Sequence, residues 1–372
     1  MYERSKVYMQ VSIGISQKTD VQAAIEEASA KVVNPSLLIM LSSYEHLEKA
    51  AQILSQKYAG VPMIGTSATT YEGNTASDKR MVLVGFGKDI SGEVGVIRNL
   101  STAPIADIPK MEETIAKVQP GSGNTICLEF CTNDEERLVT TMNVALEHAG
   151  IPVAGGTVFG VPEGASSMVM VNGKLYSNAC AYAIIKNQTG KIRTYSELIF
   201  QPMEGAKKHI ATGVKLETKE LLTLDGKSAA RVYCEDAGVS EGQLVGNVLT
   251  NPLGRVIGDQ VFIASPYKIG KNGSLINYKR INENDTISVM ELMDYEAVGA
   301  DTRAEIRQEN KHISFIFSIN CIYRHLLYTD RGYLQTFIGE MAKVGPHIGI
   351  VGGGEQLGKQ HVNQTMVCVV FE

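Results

Sequence analysis

The sequence repeats one segment, and this repeat constrains the fold more than any other feature. In the first copy, an apolar run over 37–41 precedes a stretch of helical spacing that ends at Tyr58, and the loop 60–66 follows. The second copy has an apolar run over 126–130, helical spacing up to Ala149 and a loop with the same Ala-Gly-[Val/Ile]-Pro-x-x-Gly pattern. Each copy therefore predicts a strand, a helix and a second strand.

A looser third copy lies near the C-terminus. It has apolar residues over 313–318, helical spacing over 333–341, a glycine loop over 349–354 and an apolar strand over 365–371. We therefore expect an α/β fold in which internally repeated strand-helix-strand units form β-sheet layers covered by helices. The glycine loops of different units are expected to meet at a cleft.

Two other regions complete this expectation. Apolar residues alternate over 7–15, as in a half-buried strand, and then follow helical spacing over 21–32. Over about 195–311 the pattern changes to short strands, with hairpin signals at Asp225-Gly226 and Asn272-Gly273.

The length of 372 residues suits two or three domains. Because the pattern changes near Leu198, we place one domain over 1–198 and a second over 199–372. Hydrophobic residues make up 44% of the chain, which is enough for each domain to bury a core.

Charge and apolar patterning exclude several classes of protein. The formal net charge is -5 without long runs of either sign, so nucleic acid is not an expected partner. The apolar stretches are far shorter than the roughly 18–20 residues that span a bilayer, so we expect no membrane segment in this chain. Six cysteines are spread widely, which predicts free thiols and a cytoplasmic location. Nucleotide cofactors are disfavoured, since neither a Walker loop nor a strand followed by Gly-x-Gly-x-x-Gly is present.

Several motifs resemble those of the FIST family, and the resemblance covers essentially the whole chain as a FIST N domain followed by a FIST C domain. The matching segments are Val61-Pro62-Met63-Ile64-Gly65-Thr66-Ser67, Ala154-Gly155-Gly156, residues 224–233, Asn320-Cys321-x-x-Arg324, Gly353-Gly354-Glu355 and residues 362–365. Thr66 departs from the family pattern, in which a cysteine is common at this place.

The resemblance implies a sensory, signal-input protein that binds a small molecule, with amino acids as a proposed class. FIST domains are often attached to chemotaxis receptors, kinases or cyclic-nucleotide enzymes, so the implied partner is a signalling output domain or protein. Some members bind haem and sense nitric oxide.

The C-terminal motifs suggest how a small ligand could be held. Glycines 353 and 354 allow close backbone approach, Glu355 could hold an ammonium group, and Arg324 at a strand end could bind a carboxylate. The alternatives are a turn with Glu355 in solvent and a salt bridge for Arg324. The expected ligand-binding residues are Asn320, Cys321, Arg324, Gly353, Gly354, Glu355, Asn363, Thr365, Gly65, Thr66, Gly155 and Gly156.

Two other functions compete with the metabolite sensor. Haem would need an axial ligand in an apolar pocket, and His347 and His361 flank the last glycine loop. A cysteine-dependent enzyme could pair Cys321 with His325, but the sequence supplies no third residue to orient the imidazole. We therefore expect a metabolite sensor that has neither a cofactor nor a metal site, and we rank it above the haem protein and the enzyme.

Overall fold

The computed structural model describes residues 9–258 and 260–372, and the start of the predicted first strand at Val7 lies outside them. The chain forms three units with the same order of elements. The first unit consists of β1 (Val11–Ser16), α1 (Val21–Ser29), β2 (Leu37–Ser42), α2 (Tyr44–Lys57), β3 (Met63–Ser67), β4 (Thr70–Glu72), β5 (Thr75–Ser77) and β6 (Met81–Phe86). The second consists of β7 (Ile90–Arg98), α3 (Ile108–Val118), β8 (Thr125–Cys131), α4 (Glu135–Leu146), β9 (Val153–Thr157), β10 (Val169–Val171), β11 (Lys174–Tyr176) and β12 (Ala179–Asn187).

The third unit is interrupted after its first strand, β13 (Ile192–Leu198). The insertion consists of β14 (Phe200–Pro202), β15 (His209–Lys215), β16 (Glu220–Leu224), β17 (Lys227–Ser228), α5 (Ala229–Ala237), α6 (Glu241–Asn247), β18 (Leu253–Ile257), β19 (Gln260–Ala264), β20 (Pro266–Ile269), β21 (Leu275–Asn277) and β22 (Thr286–Leu292). The unit then continues with α7 (Tyr295–Glu309), β23 (Phe315–Cys321), α8 (Ile322–Asp330), α9 (Leu334–Ala342), β24 (His347–Gly352), β25 (Glu355–Leu357), β26 (Gln360–Val362) and β27 (Thr365–Phe371).

Each unit forms a sheet with the same strand order. The three sheets are β1-β6-β2-β3-β10-β11, β7-β12-β8-β9-β25-β26 and β13-β27-β23-β24-β4-β5. The strands on either side of α2, of α4, and of α8 with α9 are parallel, whereas the other pairs are antiparallel. The predicted α/β fold with repeated units is confirmed, and the looser third copy is a complete third unit.

The units exchange hairpins in a closed ring. The β4–β5 hairpin of the first unit pairs with β24 of the third, and the β10–β11 hairpin of the second pairs with β3 of the first. The β25–β26 hairpin of the third unit pairs with β9 of the second. Each glycine-containing strand after a helix therefore receives a hairpin from another unit, so the units cannot be separated without breaking sheet hydrogen bonds.

The three sheets share one apolar core. Along β2, side chains alternate so that Ile39 joins the central core while Met40 packs under α1 and α2. Side chains of β8 and β23 also alternate between the central core and the face under the helices. The rings of Phe130 and Phe317 meet across the core with centroids 6.1 Å apart. Because both faces of these strands are buried, they appear in the sequence as continuous apolar runs.

The insertion forms a fourth sheet from its short strands. Both predicted hairpins are present: Asp225 and Gly226 connect β16 to β17 with φ of 49° and 75°, and residues 271–273 connect β20 to β21. The predicted boundary near Leu198 coincides with the end of β13, and β13 pairs with β27 at the other end of the chain. The division into domains at this point stays a prediction.

Two further sequence predictions concern membranes and thiols. Among the described residues, none of the helices combines the length and apolarity needed to cross a bilayer. All six cysteines are free thiols, and Cys234 is the one that is not fully buried.

Candidate functional site

The hairpin β25–β26 carries Glu355 into a buried position between two units, and Gly353, Gly354 and Asn363 flank its strands. Glu355 pairs with Gly156 and Gln356 pairs with Gly155 across the antiparallel strands β25 and β9. The backbone N–H of Thr157 donates to the carbonyl of Gly354 at 3.0 Å, and that of Gly353 donates to the carbonyl of Thr157 at 2.9 Å. The glycine loop of the third unit and that of the second are therefore in direct contact.

Glu355 contacts Thr365 and Cys321, and Asn363 lies two residues before Thr365 next to Gly354. We name Cys321, Glu355, Asn363 and Thr365 the Glu355 cluster. The Glu355 side chain is fully buried, and its Oε2 accepts hydrogen bonds from Thr365 Oγ1 at 2.6 Å and from the Thr365 backbone N–H at 3.4 Å. Burial raises the pKa of Glu355 well above its usual value, although Thr365 and the charge of Arg324 act in the opposite direction. The neutral carboxyl group is therefore favoured.

Asn363 is the least satisfied member of this cluster. Its side chain is 1% exposed, and neither its amide nitrogen nor its amide oxygen has a hydrogen-bond partner among residues 9–258 and 260–372. A Cβ at position 354 would lie 2.7 Å from Asn363 Nδ2 and would also collide with the His361 ring, so Gly354 is required here. Buried amides almost always have partners, which makes Asn363 a candidate ligand contact.

Arg324 lies near the Glu355 cluster, but its guanidinium group forms an ion pair outside it. Its guanidinium pairs with Glu197 of β13, and both side chains are buried. The guanidinium carbon also lies over the rings of Tyr328 and Phe337, at 4.7 and 5.1 Å from their centroids. This geometry matches the salt bridge that the sequence left open as an alternative to carboxylate binding.

Cys321 ends β23 and caps the N-terminus of α8. Burial raises the pKa of its thiol, and the neighbouring carboxyl group of Glu355 raises it further, although nearby backbone N–H groups act against this. The Nδ1 of His325 is hydrogen-bonded to the hydroxyl group of Tyr71 at 2.7 Å, so this nitrogen is not available to take the proton of the thiol. A protonated, buried thiol is a poor nucleophile.

The remaining predicted residues lie apart from the cluster. Asn320 donates from Nδ2 to Ser318 Oγ at 3.1 Å, on the face of β23 opposite to Cys321. Gly65 and Thr66 belong to β3 in the first sheet, where Thr66 pairs with Val169 and donates to the carbonyl of Met168 at 3.0 Å. They occupy the same place in the first unit that Gly155 and Gly156 occupy in the second.

A polar network that the sequence did not predict continues from the hairpin. Gln356 Nε2 donates to Thr157 Oγ1 at 3.3 Å and contacts His361 Nδ1 at 3.1 Å, while Thr157 donates to Glu135 at 3.2 Å. Burial would raise the pKa of Glu135, but the charges of nearby His361 and Lys219 lower it to about 2. The sequence indicates His361 only as a haem candidate, and it gives no signal for Glu135 and Lys219 because they lie far apart in it.

The surroundings of the two histidines differ from a haem site. His347 lies within β24, where Nε2 is hydrogen-bonded to Ser318 Oγ at 2.8 Å. His361 borders a cavity lined by lysine, arginine and glutamate side chains. An axial haem ligand needs an apolar pocket, so these residues do not fit a haem group as they stand.

Two family models match adjoining parts of the chain. The model of the FIST N domain matches residues 36–227, and the model of the FIST C domain matches residues 229–357. No curated protein matches the sequence. FIST domains are associated with sensory roles in signal transduction. Since the first match alone covers more than half of the sequence, the chain belongs to the FIST family.

Proposed function

We propose that this protein is a sensory, signal-input protein whose ligand is an amino acid or a related small polar metabolite bound at the Glu355 cluster. The observation that carries the proposal is Asn363, a buried amide next to Gly354 whose two polar atoms have no hydrogen-bond partner among the described residues. Membership of the FIST family supports the sensory part of the proposal.

The cluster offers the chemistry that an amino acid needs. The Asn363 oxygen can accept a hydrogen bond from an ammonium group, and its nitrogen can donate one to a carboxylate. An ammonium group beside Glu355 would favour ionisation of this carboxyl group, so binding would release a proton. Arg324 contributes through its charge, because its guanidinium already pairs with Glu197.

The position of the cluster suggests how binding could be transmitted. The hairpin β25–β26 joins the third unit to the second, and Gln364, next to the cluster, donates to Val248 and Ser265 of the insertion at 3.1 and 2.9 Å. Entry of a ligand requires this hairpin to move. A ligand that stabilises one hairpin position would shift the balance between two arrangements, which an output domain such as a chemotaxis receptor or a kinase could read. The six free thiols support a cytoplasmic location for this exchange.

The test is a thermal-shift screen of the L-amino acids and small polar acids on three proteins: wild type, Asn363→Ala and the matched control Asn74→Ala in an exposed turn. At about a hundredfold excess over the dissociation constant, a ligand should stabilise the wild type and the control by about 3 kcal/mol. Asn363→Ala should lose most of this shift. The proposal fails if no compound shifts the melting temperature, or if Asn363→Ala responds like the control.

An absorption spectrum of the purified protein separates this proposal from the haem alternative. A metabolite sensor is colourless, whereas bound haem gives an intense band at the violet end of the visible spectrum.

A further inference from the structure

A second candidate site lies beside hairpin β25–β26, in a cavity of about 480 Å³ between the second unit and the insertion. Its walls come from α4, from β18 and residues 279–282 of the insertion, and from β26 with the turn before it. Three parts of the chain that are distant in sequence therefore enclose one space.

The charge of the walls is strongly positive. Among the lining residues, Arg137, Arg255, Lys279, Arg280 and Lys359 are cationic, and Glu136 is the single acid. Arg137 donates hydrogen bonds to the backbone carbonyls of residues 100 and 101, and Lys359 forms an ion pair with Glu147 at 2.5 Å. The other three cations are the ones that face the cavity without full compensation.

The two arginines hold only long ion pairs. Arg255 is 3.5 Å from Asp285, and Arg280 is 3.5 Å from Asp134. In both guanidinium groups the buried Nε has no hydrogen-bond partner within the described part of the chain. Guanidinium groups with unused donors are suited to bind an oxyanion in a bidentate manner.

Lys279 is the most informative residue of the three. It is 4% exposed, its Nζ donates to the backbone carbonyl of His361, and it lies 5.0 Å from the centre of the Phe262 ring. No carboxylate within residues 9–258 and 260–372 comes within ion-pair distance of it. Burial and the charge of Arg255 lower its pKa to about 8, although the more distant charges of Glu136 and Asp285 act in the opposite direction. A buried cation without a counterion is costly, and an anion in the cavity would offset that cost.

Neutral donors complete the lining. The hydroxyl-bearing Thr140 and Thr141 lie on the α4 wall, and His361, 3% exposed, lies on the β26 wall. His361 Nε2 is buried and has no partner among the described residues. Its pKa is lowered by burial, so near neutral pH the imidazole is uncharged. In the tautomer whose Nδ1 accepts a hydrogen bond from Gln356 Nε2, Nε2 carries the proton and can donate one hydrogen bond.

We infer that this cavity binds a small oxyanion, a carboxylate or a phosphoryl group, between Lys279, Arg255 and Arg280. The inference goes beyond the proposed function and does not depend on it, since the anion would bind to cations outside the Glu355 cluster. The carboxylate and phosphoryl sources share the same recognition chemistry, and they are distinguished by the probes used.

The experiment is isothermal titration calorimetry of the full chain with inorganic phosphate and, separately, with succinate, at constant ionic strength. The variants are Lys279→Met and Arg280→Gln, and the control is Lys110→Met, which removes an exposed lysine of α3. We expect at least one probe to bind the wild type and the control equally. Each cavity variant should weaken this binding by about tenfold or more, as expected when a hydrogen bond to a charged group is lost.

Binding of phosphate alone would identify a phosphoryl site, and binding of succinate alone a carboxylate site. The inference is overturned if neither probe binds, or if both cavity variants bind as tightly as Lys110→Met. Should Lys279→Met not fold, Arg280→Gln decides the matter alone, because its side chain is partly exposed and Asp134 can be solvated. The result is independent of the amino-acid screen, since neither probe carries an ammonium group.

Discussion

The buried ion pair between Arg324 and Glu197 links the two parts of the third unit that the insertion separates. Glu197 lies on β13, directly before the insertion, and Arg324 lies in the first turn of α8, 127 residues later. Their side chains are 0% and 1% exposed. Because the insertion separates these elements in sequence, this contact helps to define the third unit as one folding unit.

Replacement of Arg324 by methionine should be strongly destabilising. The substitution leaves the Glu197 carboxylate buried without a partner, and breaking a buried pair in this way costs about 3–5 kcal/mol. The free energy of unfolding, measured by urea denaturation, should fall by about this amount.

The double variant Arg324→Met with Glu197→Gln is the control for this interpretation. It removes the uncompensated charge, so it should recover a large part of the lost stability. A loss below about 1 kcal/mol in Arg324→Met would show that the pair contributes no more than a surface salt bridge.

The shared core makes a second prediction. Phe317 is fully buried and meets Phe130 of another unit, so Phe317→Ala should leave a cavity where the sheets meet. The expected cost is about 3–5 kcal/mol. Val33→Ala, at a side chain that is 73% exposed, should change stability by less than about 0.5 kcal/mol when both variants are measured by urea denaturation. Equal effects of the two substitutions would contradict a core that joins the units.

The sequence predicted the units well because their strands and helices carry strong local patterns. The run over 37–41 is apolar throughout since both faces of β2 are buried. The exchange of hairpins left no such signal. The exchanged strands have only three residues, such as Glu355–Leu357, and their choice of partner depends on how whole units pack.

The grouping of the candidate site residues followed from the sequence only in part, for a similar reason, and their binding of a ligand stays a prediction. Glycines near Glu355 indicated the loop, and the structure brings Gly155, Gly156 and Gly354 to it. The partner of Arg324 could not be found from sequence, because Glu197 is distant along the chain and the sequence contains 40 acidic residues. Lys279 likewise lacked a local pattern, since its neighbours come from separate elements.

The third prediction concerns Glu129, a buried acid in β8. Burial raises its pKa to about 8, so between pH 4.5 and about 8 the native carboxyl group holds a proton that the unfolded chain releases. The free energy of unfolding should therefore fall as the pH rises through this range. The titratable groups that face Glu129 are Cys127 and Cys131 of β8, Cys180 of β12 and Glu135 of α4.

Glu129→Gln removes this dependence while it retains a hydrogen-bonding group opposite Cys180 Sγ, which lies 3.3 Å from Glu129 Oε2. Relative to the wild type, the variant should gain stability between pH 5 and pH 8. Denaturant titrations at several pH values measure the difference. Parallel curves for the two proteins would show that Glu129 keeps the same pKa in the native and unfolded states.

The fourth prediction tests the chemical state of Cys321. Five of the six thiols are buried, and burial raises the pKa of Cys321, so the native protein should react with iodoacetamide at Cys234 and not at Cys321. Mass spectrometry of digested samples identifies the modified residue, and denatured protein, in which all six thiols are accessible, provides the reference. Rapid modification of Cys321 in the native protein would mean that its thiolate forms readily. It would favour the cysteine-dependent enzyme over the sensor.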